Sequence, residues 1–368
     1  MLYLIITTSY LSRMQRPTQH IPSKEILEKI RKFLIKLEIS PSITNTFVKI
    51  LSYLPRSILL ALMISGKNIL DNTYLIKWYY LFPCGKKLNS QPNSSSPTNI
   101  IVSLTTIPSR VRYVPYVLGS LLRQTMRPQR IILYLDEKRF ANQKLPFFLR
   151  LYQRHGVEIV YCEDLKPHTK YYHAMTAYPE AVIITVDDDL MYPKDLVESL
   201  YTSYRKYPHA VSCRRAHLMM FDENNKLKPY DKWDGEYSGL IDTPSMFLFA
   251  TGVGGVLYPP HCLHKDTFQK NLIHDLSYKA DDVWLKFMEI LIGTPVVVAQ
   301  EFKPYQNVNP GLLQKVALCK VNVSEGANDI QIQNCIKYYE KELGGNLYTT
   351  LTYLEQKITD ASEKQTQP

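Results

Sequence analysis

The sequence predicts an α/β protein, a mostly parallel sheet flanked by helices, with a helical extension at the N-terminus. Three observations carry this. From residue 99 to residue 215, short β-prone runs alternate with stretches of helical periodicity. The polar stretch LNSQPNSSSPTN separates that region from an N-terminal part with helical spacing alone. One β-prone run, VIITV, passes directly into three acids, Asp187, Asp188 and Asp189. Strand ends of this kind are where open α/β sheets bind ligands.

The N-terminal part comes first. In residues 23–39 the apolar Ile26, Leu27, Ile30, Phe33, Leu34 and Leu37 recur at helical spacing behind Ser23, a fitting N-cap. Residues 43–53 and 56–65 read as two more helices parted by Pro55, and residues 74–83 are aromatic and apolar. Residues 1–87 therefore form a helical segment, and it is basic. Thirteen Lys and Arg stand against four Asp and Glu before residue 100, so +9 of the chain's +10 lies there. Such a segment suits an anionic membrane surface, or it is a solvated helical face. No nucleic-acid-binding motif accompanies the charge, so no nucleic-acid partner is expected.

No apolar run reaches the roughly 18 residues of a membrane-spanning helix. MLYLIITTSYL lacks the basic start and cleavage site of a signal peptide. The six cysteines, at 84, 162, 213, 262, 319 and 335, form no CxxC pair and match no zinc module. They read as reduced thiols, which favours a cytoplasmic location. Attachment would then be peripheral, at the inner face of the cell membrane.

Residues 88–98 have linker composition and place a domain boundary. The elements that follow are a strand over 99–105, a helix over 114–125, a strand over 130–136 and a helix over 145–156 that stops at Gly156. Next come a strand over 157–164, a helix over 170–179, a strand over 181–189, a helix over 194–208 and a strand over 210–215. KADDVWLKFMEIL opens a further helix with Asp281 and Asp282. This α/β region is taken to end near residue 310. Residues 311–368 follow as a helical segment and tail: SEGANDIQIQNCIKYYEKEL reads as a helix with a polar start, and TDASEKQTQP as a frayed end.

Acids two apart at a strand end can grip one hard cation together, and Mg²⁺ or Mn²⁺ favours oxygen ligands. A metal joining Asp187 or Asp189 to a diphosphate would explain three adjacent like charges. The plainer alternative is an acidic start to the next helix, favoured by its dipole. The histidines at 168, 173, 217, 261 and 264 show no metal-ligand spacing and read as structural or solvated.

In chain order the motifs are SLTTIPSR, HTKYYHAM, VIITVDDDLMYP, TGVGGVLYPP and KADDVWL. Together they resemble glycosyltransferases of the GT-A fold, and in style the family-2-like sugar transferases of bacterial capsule and O-antigen clusters. The resemblance spans roughly residues 99–310. It implies a Rossmann-like catalytic domain that moves a sugar from a nucleotide-sugar donor, UDP-sugar favoured, to a glycan or lipid-linked glycan. It implies Asp187 and Asp189 as ligands of Mn²⁺ or Mg²⁺, and Asp188 beside the donor. Thr105, Thr106, Pro108 and Arg110 would border the nucleotide, and Lys170 would touch its base or diphosphate. Among Gly252, Gly254 and Gly255, the last two would let the backbone approach donor and acceptor sugars. Asp282, or failing it Asp281, would be the base that takes the acceptor's proton, giving inversion. Trp233, Asp234 and Trp284 are weaker candidates for acceptor contacts.

One departure stands out. Many relatives of this kind use a late histidine as a further metal ligand, but the last histidine here is His274. Either Asn307, Asn309, Asn328 or Asp329 replaces it, or no further protein ligand is needed. Two other functions compete. A sugar-phosphate nucleotidyltransferase would need a glycine-rich basic loop after the first strand, which SLTTIPSR is not. A carbohydrate-binding protein without catalysis would not need acids at both a strand end and a helix start.

Overall fold

The computed structural model describes residues 28, 31, 32, 45, 81, 83, 87, 88, 99–308 and 326–366. The chain divides into two compact units, Met1–Tyr79 and Tyr80–Pro368. Nearly all of the first unit, with its three expected helices and its expected membrane contact, lies outside the described residues, as does most of the expected linker. Among the described residues no helix is long and apolar enough to cross a membrane.

In chain order the second unit carries β1 (Ile100–Thr105), α1 (Val114–Leu121), β2 (Arg130–Asp136), α2 (Glu137–Phe140), α3 (Phe147–Arg154) and β3 (Glu158–Cys162). Then come α4 (Thr169–Ala177), β4 (Val182–Thr185), β5 (Leu190–Met191), α5 (Leu196–Lys206), β6 (Val211–Cys213) and β7 (Ala216–Leu218). β8 (Leu248–Ala250), β9 (Val256–Tyr258), α6 (Lys270–Ser277), α7 (Asp281–Ile290), β10 (Val296–Val298) and β11 (Gln306–Asn307) follow. The last helices are α8 (Ala327–Tyr338) and α9 (Leu347–Thr366).

Seven strands form one sheet in the order β10-β6-β9-β4-β1-β2-β3. Every neighbour pair is parallel except those of β9, which runs against both β4 and β6. The mostly parallel sheet flanked by helices is thus as the alternation predicts. The reversed strand is not legible in that alternation, because TGVGGVLYPP offers three apolar residues and no period.

Both faces of the sheet are covered, which is why β1 and β4 are apolar almost throughout. The period of two sends alternate residues to opposite sides. Val102, Leu104, Leu133 and Ile184 pack with Leu118 of α1, Leu149 of α3 and Leu200 of α5. Ile101, Ile132 and Ile183 pack with Ala174 of α4. Further along, Val211, Val256 and Val296 pack with Trp284 and Phe287 of α7.

The C-terminal segment belongs to that last cluster. Ile332 and Cys335 of α8 and Leu347 and Leu351 of α9 are buried in it, and the Met246 amide donates to Glu355 Oε2 at 2.6 Å. Helix α9 runs to Thr366, through most of the stretch expected to fray. Leu88, the first residue of the expected linker, is likewise buried, its amide donating to the His155 carbonyl at 3.0 Å.

Candidate active site

The parallel strands end at one rim, and two segments from that rim meet. After β1 the chain turns at Ile107–Pro108, with the amides of Arg110 and Val111 donating to the Ile107 carbonyl at 2.9 and 3.0 Å. The turn carries Arg110 to the acids beyond β4. Its Nη1 donates to Asp188 Oδ1 at 2.9 Å and to Asp189 Oδ2 at 3.3 Å. Thr106 Oγ1 donates to Asp188 Oδ2. Asp188 is buried with both oxygens engaged, and its pKa is raised by that burial against the pull of Arg110 and Thr106. The Asp187 amide donates to the Tyr192 hydroxyl at 2.7 Å, which fixes the backbone of the acid run.

The second cation is Lys170, on α4. Its Nζ donates to Asp187 Oδ1 at 2.6 Å and lies 3.1 Å from Asp281 Oδ2. The side chain is only 6% exposed. Burial disfavours the ammonium, but Asp187, Asp281 and Asp282 outweigh it and hold the pKa well above the ordinary lysine value. Arg110 and Lys170 are therefore what holds three adjacent acids at the end of a buried strand.

Asp281 and Asp282 open α7, where acids are favoured by the helix dipole. The Gly252 amide donates to both oxygens of Asp282, at 3.1 and 3.2 Å. Gly252 has no room for a side chain: an added Cβ would lie 2.9 Å from Lys170 Nζ, 3.4 Å from Asp282 Oδ1 and 3.5 Å from Asp187 Oδ1. Burial, and next the charge of Asp281, push the Asp282 carboxyl up to about 8, with Lys170 and the Gly252 amide opposing.

Among the described residues, the charge pairs at this rim set five carboxylates against Arg110 and Lys170. The surplus shows at Asp189, whose pKa is raised by burial and then by Asp187 and Asp188. Asp187 and Asp189 are each about a quarter exposed, at 28% and 24% of the side chain. Hard oxygen donors with unmet negative charge fit a divalent cation such as Mg²⁺ or Mn²⁺. No group of three or more His, Cys, Asp or Glu converges on a single point among the described residues.

The other expected site residues fall as follows. Thr105 Oγ1 donates to the Tyr134 carbonyl at 3.0 Å, tying β1 to β2. Lys170 faces inward onto Asp187 and Asp281. Gly254 and Gly255 turn their Cβ directions into protein, onto Arg215 at 2.6 Å and Leu196 at 3.0 Å, and it is Gly252 that meets the acids. Two of the acceptor candidates are buried. Trp284 is fully buried, its indole N–H donating to the Thr267 carbonyl at 3.2 Å. Trp233 is buried against Tyr230 and Phe249, its N–H donating to the Lys228 carbonyl at 2.9 Å. Both are core residues, because a large apolar ring with one donor is satisfied inside as soon as a carbonyl is in reach. Asp234 is exposed, its backbone paired with Leu218.

Of the candidates for a late ligand, Asn307 lies in β11, which pairs with β5 just beyond the acids, and the next amide, of Val308, donates to the Asp189 carbonyl at 2.8 Å. Asp329 instead accepts the Tyr230 amide at 2.8 Å, Asn328 is buried on α8, and Asn309 lies outside the described residues. His168 is buried between the Tyr171 hydroxyl and the Ser277 carbonyl, a structural histidine as expected. Sequence reasoning missed Ser103, whose hydroxyl donates to the Lys170 carbonyl, and Tyr192. Ser103, a polar residue inside the apolar run of β1, was the available signal.

No family model matches the chain, and no curated protein does. Among solved structures, a 4-diphosphocytidyl-2C-methyl-D-erythritol synthase is similar over 61% of this chain and 98% of its own, at 10% identity and a TM-score of 0.39. A CMP:2-keto-3-deoxy-manno-octonic acid synthetase complexed with CTP is similar over 60% and 97%, at 14% identity and a TM-score of 0.35. S. aureus TarS 1–349 in complex with UDP is similar over 67% and 72%, at 12% identity and a TM-score of 0.36. At these scores the likenesses carry no argument for this chain's fold or activity, which rest on its own sheet and its own rim.

Proposed function

We propose that this chain is a GT-A glycosyltransferase that moves a sugar from a nucleotide-sugar to a hydroxyl of a saccharide or lipid-linked glycan, with inversion. One observation carries the reading: two acid groups from separate elements, Asp187–Asp189 and Asp281–Asp282, meet at the carboxyl rim of the sheet around one buried ammonium. A transferase of this kind needs a negative site for a cation and a diphosphate, and a carboxylate close by to accept a proton.

In this reading Asp187 and Asp189 hold Mn²⁺ or Mg²⁺, which when bound supplies positive charge for the departing diphosphate. Asp188, locked by Arg110 and Thr106, keeps the acid run in shape. Asp282 takes the proton of the acceptor hydroxyl as that oxygen bonds to the anomeric carbon. The bond from that carbon to the diphosphate breaks, and the nucleoside diphosphate leaves. A carboxylate held near neutral proton affinity suits a general base working near neutrality.

Composition supports a peripheral membrane location, through the basic residues before residue 100. Charge reversal at Lys29, Arg31, Lys32 and Lys36 should release the protein from anionic vesicles, and unchanged binding would remove that part. The central test is calorimetric titration of UDP, GDP and other nucleotides with and without Mn²⁺. It uses the wild type and a variant with Asp187→Ala and Asp189→Ala. The reading expects one nucleotide to bind, with binding lost without metal and lost in the variant. No nucleotide binding by folded wild type would overturn it.

A further inference from the structure

We propose that Lys170 is a positioning residue for the base, and that its ammonium sets the separation between the donor acids and Asp282 without itself contacting the donor. The inference rests on the transferase reading above.

The argument starts from what each partner is attached to. Lys170 belongs to the sheet side: α4 packs across β1, β2 and β4, and the Ser103 hydroxyl of β1 donates to the Lys170 carbonyl. Asp187 also belongs to the sheet, two residues beyond β4. Asp281 and Asp282 open α7, whose body packs through Trp284 and Phe287 in the cluster that also takes in Tyr171 of α4. One buried ammonium, 2.6 Å from Asp187 and 3.1 Å from Asp281, bridges the acid run beyond β4 and the first turn of α7 at the rim. Gly252 closes the same junction from the third side, through its amide on Asp282 and with its Cα facing Lys170 Nζ.

Chemistry explains why the joint is a lysine. An ammonium is a compact charge with three donors that can point at two carboxylates in different directions, whereas the planar fork of arginine prefers one carboxylate held by two bonds. Without a cation there, Asp187 and Asp281 repel, and the first turn of α7 moves away from the sheet end. Base and donor then lose register, and a misplacement of about 1 Å is enough to cost a hundredfold in rate. Asp187 at the same time loses a competitor for a metal ion. A positioning lysine therefore predicts that turnover falls while donor affinity is held or tightened. A lysine on the diphosphate predicts that both fall together.

The experiment compares wild type, Lys170→Arg, Lys170→Met, and Lys170→Met combined with Asp281→Asn, which keeps the buried charges balanced if the single variant does not fold. Binding of UDP and GDP with Mn²⁺ is read by calorimetry. Turnover is read as nucleotide release from UDP- and GDP-sugars with water as acceptor. For the folded Met variants we expect nucleotide affinity within about threefold of wild type or tighter, KM within about threefold, and kcat down by about a hundredfold or more. Lys170→Arg should recover about tenfold of that loss in kcat. Nucleotide binding lost in step with turnover would overturn the inference and make Lys170 a donor contact, leaving the transferase reading intact. Unchanged kcat in the Met variants would also overturn it. Absence of nucleotide binding by the wild type would overturn the transferase reading, and this inference with it.

Discussion

The amide of Gly252 donates to both carboxylate oxygens of Asp282, at 3.1 and 3.2 Å. A loop after β8 thereby orients an acid at the start of α7. A methyl group on Gly252 would fall 2.9 Å from Lys170 Nζ, and so would push the ammonium away from Asp187 and Asp281. Gly252→Ala should lower nucleotide-sugar turnover by about tenfold or more and destabilise the fold by about 1–3 kcal/mol, as overpacking does. Gly255→Ala fails for a different reason, since φ there is +79° and Leu196 lies 3.0 Å from the added atom. It should cost stability by about 1 kcal/mol or more. Paired thermal melts and turnover assays separate the two.

The Asp282 carboxyl is raised by burial and by Asp281 to about 8. A base must be ionised to act, so turnover should rise with pH through the neutral range and level off above that value. Asp282→Asn should abolish the rise and lower the rate by about a hundredfold or more, with nucleotide binding retained. A pH–rate profile of both proteins checks it. A variant as active as wild type would move the base elsewhere.

Arg110 neutralises Asp188 at 2.9 Å in a buried setting. Removing one member of such a pair leaves an uncompensated charge inside. Arg110→Met should therefore destabilise the protein by roughly 3–5 kcal/mol. Arg110→Met with Asp188→Asn should recover much of that. Denaturant unfolding of the two variants against wild type measures the difference.

Two buried histidines give stability a pH dependence. Burial lowers His168 to about 4, and burial, with Arg215 next, lowers His217 to about 4. The unfolded chain takes up protons near pH 6.5 that the folded chain refuses until about pH 4. Stability from these groups is thus complete above pH 6.5 and declines as pH falls towards 4. For His168 the loss is on the order of 3 kcal/mol, at about 1.4 kcal/mol per unit. His168→Gln should flatten the slope of stability against pH in that window. An unchanged slope would contradict the neutral state assigned to His168.

The C-terminal helices should be indispensable. Truncation before Leu347 removes the buried Leu347 and Leu351 and leaves the Met246 amide without Glu355. Each lost leucine alone should cost about 2–5 kcal/mol. The truncated chain should then be insoluble or lack a cooperative unfolding transition. A well-folded truncated protein would show that α9 is dispensable.

What the sequence made legible follows from where the signals are local. Strands β1, β2 and β4 and helices α1, α4 and α5 are written in apolar periods, and the observed ends lie within four residues of those expected. The DDD run was legible because like charges at a buried strand end demand an explanation nearby. Its explanation was partly legible too: Arg110 and Lys170 were both singled out, but as ligand contacts. Their pairings are long-range: Arg110 meets Asp188 and Asp189, and Asp281 reaches Lys170 from more than a hundred positions along the chain, which no window of sequence displays. The burial of the tryptophans was not legible, because Trp233 and Trp284 look alike from sequence whether they face a sugar or a core carbonyl. The direction of β9 was invisible for a related reason, since three buried residues read the same both ways.

That reversed strand has a further consequence. Cys213, the last residue of β6, and Val256, the first of β9, are partners on adjacent strands. The chain leaves the sheet at one rung of the ladder and returns at the same rung, so residues 214–255 form a closed excursion that touches the sheet again where Ile241 and Ser245 pair with β10. Such an excursion can be remodelled without shifting the register of β6 and β9, provided the pairing with β10 is kept and the places of Trp233, Met246 and Phe249 are refilled. Half of the site, the acid run and its two cations, would stay fixed through such exchanges. The other half, ending in the glycine that orients Asp282, would be open to diversification.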